Sequence, residues 1–341
     1  MAREMVSLFI GFGLCGAAAV LAMENGRANA TVPAIFVFGD SIFDVGNNNF
    51  LPYTSARADQ PHNGIDFPGG VATGRFSNGY NIIDYLAMNM GFEMSPEAFM
   101  SLVNTSTLQV KMSKGVNFAS GGSGILDCTG ILLGGAFPLT TQIENFATVQ
   151  SNLNKRIGSE KATILLSKSI FVFSTGNCDL LEREVWWHGR LQNSTRNELF
   201  LANLTSKFKL HLQELYQLGA RKFGVIGLPA VGCCPMERSD SDGKCSEDMN
   251  GLAHSFNRAT AAMLVQLKGE LDGMSYSLGN ITSDSSLLCT PNDTYCSNHE
   301  EYVFWDLYHP TQKAASFVAN ALFNGSSDLV APINFQQLAE S

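Results

Sequence analysis

The sequence predicts an α/β fold: a mostly parallel sheet with helices on both faces, built as one catalytic domain. Three observations carry this. Short apolar runs, too short for helices and rich in strand formers, recur at 33–38, 116–119, 170–173, 223–226 and 276–278. Between them lie stretches with apolar residues at helical spacing, and that alternation favours parallel strands joined by crossover helices. No charged or Pro/Ser-rich linker interrupts the 341 residues, and 45 % apolar content is ample for a large core.

The elements follow in order. The run Val32-Pro33-Ala34-Ile35-Phe36-Val37 reads as a buried strand that stops at Gly39. Asp40-Ser41 then emerges at its carboxyl end, where open α/β sheets place their ligands. Residues 50–78, rich in Pro, Gly and Asn, read as a long surface loop beside Ser41. A helix over 79–90 carries Tyr80, Ile83, Leu86 and Ala87, and the strand 116–119 runs into the Gly-rich turn Ser120–Gly124. Helical stripes over 139–157 (Ile143, Phe146, Val149, Leu153), 197–218 (Leu204, Phe208, Leu212, Leu215, with Gly219 as a stop) and 247–272 (Leu252, Phe256, Met263, Leu267) separate the remaining strands. These stripes read as core faces rather than lipid-binding ones. Thr311–Leu322 is a last amphipathic helix, led in by Pro310.

Composition excludes some classes. Charged residues are 16 % of the chain, the formal balance is −9, and no basic cluster of nucleic-acid-binding type occurs. Residues 1–30 read as a signal peptide: Arg3 precedes an apolar run from Met5 to Met23, and Ala28-Asn29-Ala30 has the form of a cleavage site. A retained anchor is the competing reading, because the run is nearly long enough to span a bilayer. Sequons at Asn104, Asn193, Asn203, Asn280, Asn292 and Asn324 agree with secretion. So does cysteine usage. Cys15 leaves with the leader and seven cysteines remain, so one at least is free or pairs between chains. Cys289 with Cys296, and Cys245 with Cys233 or Cys234, are local candidates for bridges. None has the paired spacing of a zinc site, so no metal is expected.

The chemistry rests on Ser41 and the distant Asp306-Leu307-Tyr308-His309. A serine hydroxyl is a weak nucleophile until a neighbouring base takes its proton. Histidine suits that task, and a carboxylate on its other ring nitrogen fixes tautomer and orientation. Asp306 and His309 are three apart, so one helical turn would put them on one face. The G-x-S-x-G elbow is missing, since Ile42 and Phe43 follow Ser41. The Gly-rich turn at 120–124 is not a phosphate loop, because no Gly-Lys-Ser/Thr follows it.

Four blocks in order, Phe38-Gly39-Asp40-Ser41, Asn47-Asn48-Asn49, Gly74-Arg75-Phe76-Ser77-Asn78-Gly79 and Val303–Pro310, resemble those of the plant GDSL esterase/lipases of the SGNH-hydrolase superfamily, and Val116–Gly124 then matches the Gly-rich block of that family. The resemblance covers nearly all of the chain after residue 30. It implies a single-domain three-layer α/β/α SGNH-hydrolase fold with a flavodoxin-like, mostly parallel five-stranded sheet. It also implies a Ser41–His309–Asp306 triad, no cofactor, and a small-molecule or lipid ester as partner. The oxyanion donors it implies are the Ser41 N–H, the Gly121 N–H and an asparagine amide. At the last of these the chain departs from type: the family's Gly-x-Asn-Asp reads Gly176-Asn177-Cys178-Asp179 here. A thiol is a much weaker donor than an amide, and Asn177 comes one residue early. A second departure is the short segment between Gly279 and Cys289. The overall expectation is a secreted, monomeric ester hydrolase of reduced activity. An acyltransferase using the same serine, and a glycoprotein that keeps the fold without catalysis, are the alternatives.

Overall fold

The computed structural model describes residues 31–103, 105, 108–187, 194–280 and 298–341. Five parallel strands form the sheet: β1 (Ile35–Gly39), β2 (Gly115–Asn117), β3 (Ile170–Ser174), β4 (Lys222–Ile226) and β5 (Ser275–Gly279). Their order is β2-β1-β3-β4-β5, the flavodoxin-like arrangement that the family resemblance implies. A sixth strand, β6 (Val330–Ala331), pairs antiparallel with β5 at the edge, so the sheet has six strands rather than five. Two residues carry no periodic pattern, which is why this strand is invisible in the sequence.

The principal helices are α1 (Ile82–Asn89), α2 (Leu139–Ile157), α3 (Ser159–Lys168), α4 (Asn177–Trp187), α5 (Ser194–Gln217), α6 (Glu247–Glu270), α7 (Gln312–Asn324) and α8 (Phe335–Glu340). Alternating strand residues divide the core. Phe36, Phe38, Phe171, Phe173 and Phe223 pack beneath α2, α3, α5 and α6, whereas Ile35, Val37, Ile170 and Val172 face α1, α7 and α8. Both faces of every central strand are therefore buried, as parallel sheets require. The long helices fall where their apolar stripes put them. Helices α3, α4 and α8 have no counterpart among the expected elements.

The turn after β1 fixes Ser41. Gly39 has φ near 138°, and a Cβ there would lie 1.9 Å from the Ser174 carbonyl oxygen. Its N–H donates to Gln142 Oε1, and the Gln142 amide returns a bond to the Gly39 carbonyl. Beyond it, the irregular backbone is satisfied by buried side chains, because water cannot reach it. Asp44 accepts from the N–H groups of Gly46, Asn47 and Gly121 at 2.8, 2.8 and 2.9 Å. Asn47 donates to the carbonyls of Asn117 and Ala119, Asn48 to those of Ala56 and Gly121, and Asn49 to that of Thr73. The three-asparagine run is thus a set of struts joining β1's exit to β2's exit and to the 50–78 loop. A buried bidentate pair, Arg75 on Asp84 at 2.7 and 2.9 Å, pins that loop to the start of α1.

Burial raises the carboxyls of Asp40 and Asp44 to about 6 from an ordinary 3.8, against the amide and backbone N–H groups that hold them down. The folded protein therefore binds these protons more tightly than the unfolded chain does. Between about pH 4 and 6 stability falls as pH rises, each group contributing on the order of 3 kcal/mol to the loss, and above that window their effect is constant. An asparagine at position 40 keeps the acceptor for the Ile42 N–H and lets Asn177 turn its amide. Urea denaturation across this range should then show a shallower decline for Asp40→Asn than for wild type. Equal slopes would contradict the assignment.

Candidate active site

Ser41, Asp306 and His309 come together at the carboxyl end of the sheet. His309 Nε2 lies 2.7 Å from Ser41 Oγ across 268 residues of chain, and His309 Nδ1 lies 2.7 Å from Asp306 Oδ2. Asp306 does not sit on a helical turn with His309, as its spacing suggested. Residues 304–310 form a tight loop closed by the bridge between Phe304 and Pro310. Within it Asp306 Oδ1 accepts from the N–H groups of Tyr308 and His309 at 2.8 and 2.7 Å, an Asx-type turn that sets the residues side by side as a helix would. Thr311 then caps α7, accepting from Ala314 N–H, so the His309 ring is held at the root of a packed helix.

The surroundings orient this pair. The Phe76 ring lies 4.9 Å from the His309 ring, and Trp305 Nε1 donates to Asn63 Oδ1 at 3.1 Å. Asp66 accepts from Asn78 at 2.6 Å and contacts His299 at 2.5 Å, while Asn78 accepts from Gln312 N–H at 2.8 Å. These contacts bind the 50–78 loop to the His309 loop. Burial pushes the Asp306 carboxyl up, but the His309 ring and the two N–H donors outweigh it and hold it below the usual range. His309 itself is 8 % exposed, whereas Ser41 is half-buried.

The donors around Ser41 differ from the expected set. Among the described residues, nothing accepts from the Ser41 N–H. Gly121 N–H, expected to face an oxyanion, is instead donated to Asp44 Oδ2 in the buried network. The neighbouring Gly122 N–H is the one that meets the Cys178 thiol. Asn177 does not fill in for the missing asparagine, because its amide donates to Asp40 Oδ2 at 2.9 Å. Burial drives the Cys178 thiol well above its ordinary value, with Asp40 and Asp179 adding to the effect, so it stays protonated. Asp179 was not singled out in the sequence. It accepts from Ile125 N–H, Leu126 N–H and Thr129 Oγ1 at 2.8, 3.0 and 2.8 Å, anchoring the loop after the Gly-rich turn to α4.

Outside the site, Cys245 is bonded to Cys233 rather than Cys234. Cys234 is buried and its thiol is pushed up to about 11 by that burial. Asn203, Asn280 and Asn324 are exposed. The leader, Asn104, Asn193, Asn292, Cys289, Cys296 and the short segment after Asn280 lie outside the described residues. Among the described helices, none is long and apolar enough to cross a membrane.

Residues 35–322 match the GDSL-like Lipase/Acylhydrolase family. The chain is 34 % identical to the GDSL esterase/lipase At4g16230 of Arabidopsis thaliana, over 92 % of each chain. It is 32 % identical to the GDSL esterase/lipase At5g55050 of the same plant, over 92 % of this chain and 91 % of the relative. A third Arabidopsis relative, the GDSL esterase/lipase At1g71691, is 34 % identical over 93 % of this chain and 88 % of its own. With its sheet order, its four sequence blocks and this likeness along almost its whole length, the chain belongs to the GDSL-like lipase/acylhydrolase family of carboxylic ester hydrolases.

Proposed function

We propose that the protein hydrolyses carboxylic esters through Ser41, His309 and Asp306. The observation that carries this is the unbroken chain of short contacts from Ser41 Oγ to His309 Nε2 and from His309 Nδ1 to Asp306. As Oγ attacks the ester carbonyl, His309 takes its proton, and Asp306 stabilises the imidazolium that forms. The tetrahedral intermediate collapses, the alcohol leaves with that proton, and the acyl group stays on Ser41. Water then repeats the cycle: His309 accepts its proton, the carboxylic acid departs, and Ser41 is regenerated.

The negative oxygen of each intermediate needs donors aimed at it. The Ser41 N–H and the Gly122 N–H are the two that suit this role, the first without a partner among the described residues and the second facing a thiol sulfur. Cys178, where the family carries an asparagine, is the weak third member. That substitution favours reduced turnover, and a catalytically silent glycoprotein is the second reading it supports. Secretion is part of the same proposal. The Ala28-Asn29-Ala30 end of the leader, the bridge between Cys233 and Cys245, and the exposed sequons at Asn203, Asn280 and Asn324 all suit an oxidising, glycosylating compartment.

Kinetics on a water-soluble ester test the assignment. Ser41→Ala is expected to lower kcat by about 10⁴–10⁶, and Asp306→Asn by about 10⁴ through loss of tautomer and orientation, with KM little changed. Wild-type turnover equal to that of Ser41→Ala would remove the enzymatic reading. Cys178→Asn is expected to raise kcat on the order of 10²-fold by restoring an amide donor. No gain would mean that another group already completes the oxyanion site.

A further inference from the structure

Strand alternation aims one sequon into a groove at the edge of the sheet. Along β5, Tyr276 and Leu278 pack with the core beneath α6, whereas a Cβ at Gly279 would lie 2.1 Å from Leu322 Cδ2 of α7 on the other face. The pairing with the β6 side continues one residue further, because the Asn280 N–H donates to the Leu329 carbonyl at 2.8 Å. Asn280 therefore turns its side chain to the α6 side, and the residue is exposed. A groove of about 420 Å³ lies there, between α6 and β6, with Asn280 in its wall. In sequence Asn280 opens the triplet Asn280-Ile281-Thr282, an acceptor for N-linked sugar.

The groove offers the two kinds of surface that a sugar uses. Ala261, Leu278 and Leu329 supply apolar area for the C–H face and acetamide methyl of an N-acetylhexosamine, and Leu329 is 41 % exposed. Arg258 and Asp328 supply a donor and an acceptor for its hydroxyls and acetamide carbonyl. Arg258 gives a hydrogen bond to Ser255 Oγ at 2.9 Å through one nitrogen of a guanidinium that carries five N–H groups. An occupant of the groove would also shield β6, a two-residue strand at the sheet's edge, from pairing with another chain. Asn203, by contrast, stands exposed in the middle of the long helix α5.

We propose that Asn280 carries an N-linked glycan whose two inner N-acetylglucosamines lie in this groove and fasten β6 to α6; this rests on the secretion reading above. In the attachment, Asn280 Nδ2 displaces the diphosphate of a lipid-linked oligosaccharide at the sugar's C1 and gives up one of its two protons. The test uses the full chain secreted from a eukaryotic host restricted to high-mannose glycans. Endoglycosidase H, which cuts between the two inner sugars, is applied to the native protein, and each site is followed by glycopeptide mass. Cleavage at Asn280 is expected to be at least about tenfold slower than at Asn203, since tenfold corresponds to only about 1.4 kcal/mol of protection. Leu329→Ser with Arg258→Ser, which leaves both sequons intact, is expected to close that gap, and so is denaturation. Thr282→Ala, which removes the glycan, is expected to speed amide hydrogen exchange at 328–331 at least about threefold. Equal native cleavage at the two sites, a gap that survives denaturation or the double substitution, or exchange unchanged by Thr282→Ala overturns the proposal. An unmodified Asn280 beside a glycosylated Asn203 defeats this inference alone. A chain that is retained in the cytosol with neither site modified defeats the secretion reading, and the seated glycan with it.

Discussion

One hydrogen bond joins the two ends of this fold: His309 Nε2 to Ser41 Oγ, formed between residues 268 apart in sequence. Neither partner lies in a strand or a helix, so regular secondary structure does not hold them. Their positions follow from the need to satisfy irregular backbone that is cut off from water. Asp44, Asn47 and Asn48 do this on the Ser41 side, and Asp306 does it on the His309 side with the same carboxylate that orients the ring. The proposed catalytic arrangement and the loop scaffolding are in this sense one network. A side chain such as Asp306 cannot be altered for one role without disturbing the other.

That network also explains where the donors point. The Asp44 carboxylate collects the Gly121 N–H, which leaves Gly122 as the glycine turned towards the space beside Cys178. Asp40 collects the Asn177 amide in the same way. Both buried carboxylates are raised by desolvation and steadied by N–H donors, an arrangement that rigidifies the exit of β1 at a cost in stability near neutral pH. Preorganised polar groups of this kind are what acyl transfer requires, because donors already fixed need not reorganise as charge develops.

Much of this was legible in the sequence. The β1 run and the phenylalanine-rich β3 announced a sheet buried on both faces, and the stripes of α2, α5 and α6 were long enough for periodicity to place them almost to the residue. Ser41, Asp306 and His309 were named from local chemistry and from the order of the blocks. The Asp-x-x-His spacing was right for a reason other than the one it suggested, because an Asx turn and a helical turn both bring positions three apart together. What stayed hidden was set by distant partners. Nothing near Gly121 says that Asp44, 77 residues away, takes its N–H, and nothing near Asn177 says that Asp40 takes its amide. Asp179 stood in the sequence only as the end of the Gly176–Asp179 motif, and the loop that it anchors lies some fifty residues away.

The claim at the centre is that a base brought across the whole fold makes one serine nucleophilic. An alkyl fluorophosphonate reports on this directly, because it is attacked by an activated serine and is trapped as a stable adduct. Intact mass and peptide mapping should show a single phosphonyl group on Ser41, and its rate of formation should collapse in His309→Ala. A label on a different residue, or labelling of Ser41 at an unchanged rate without His309, would contradict the account.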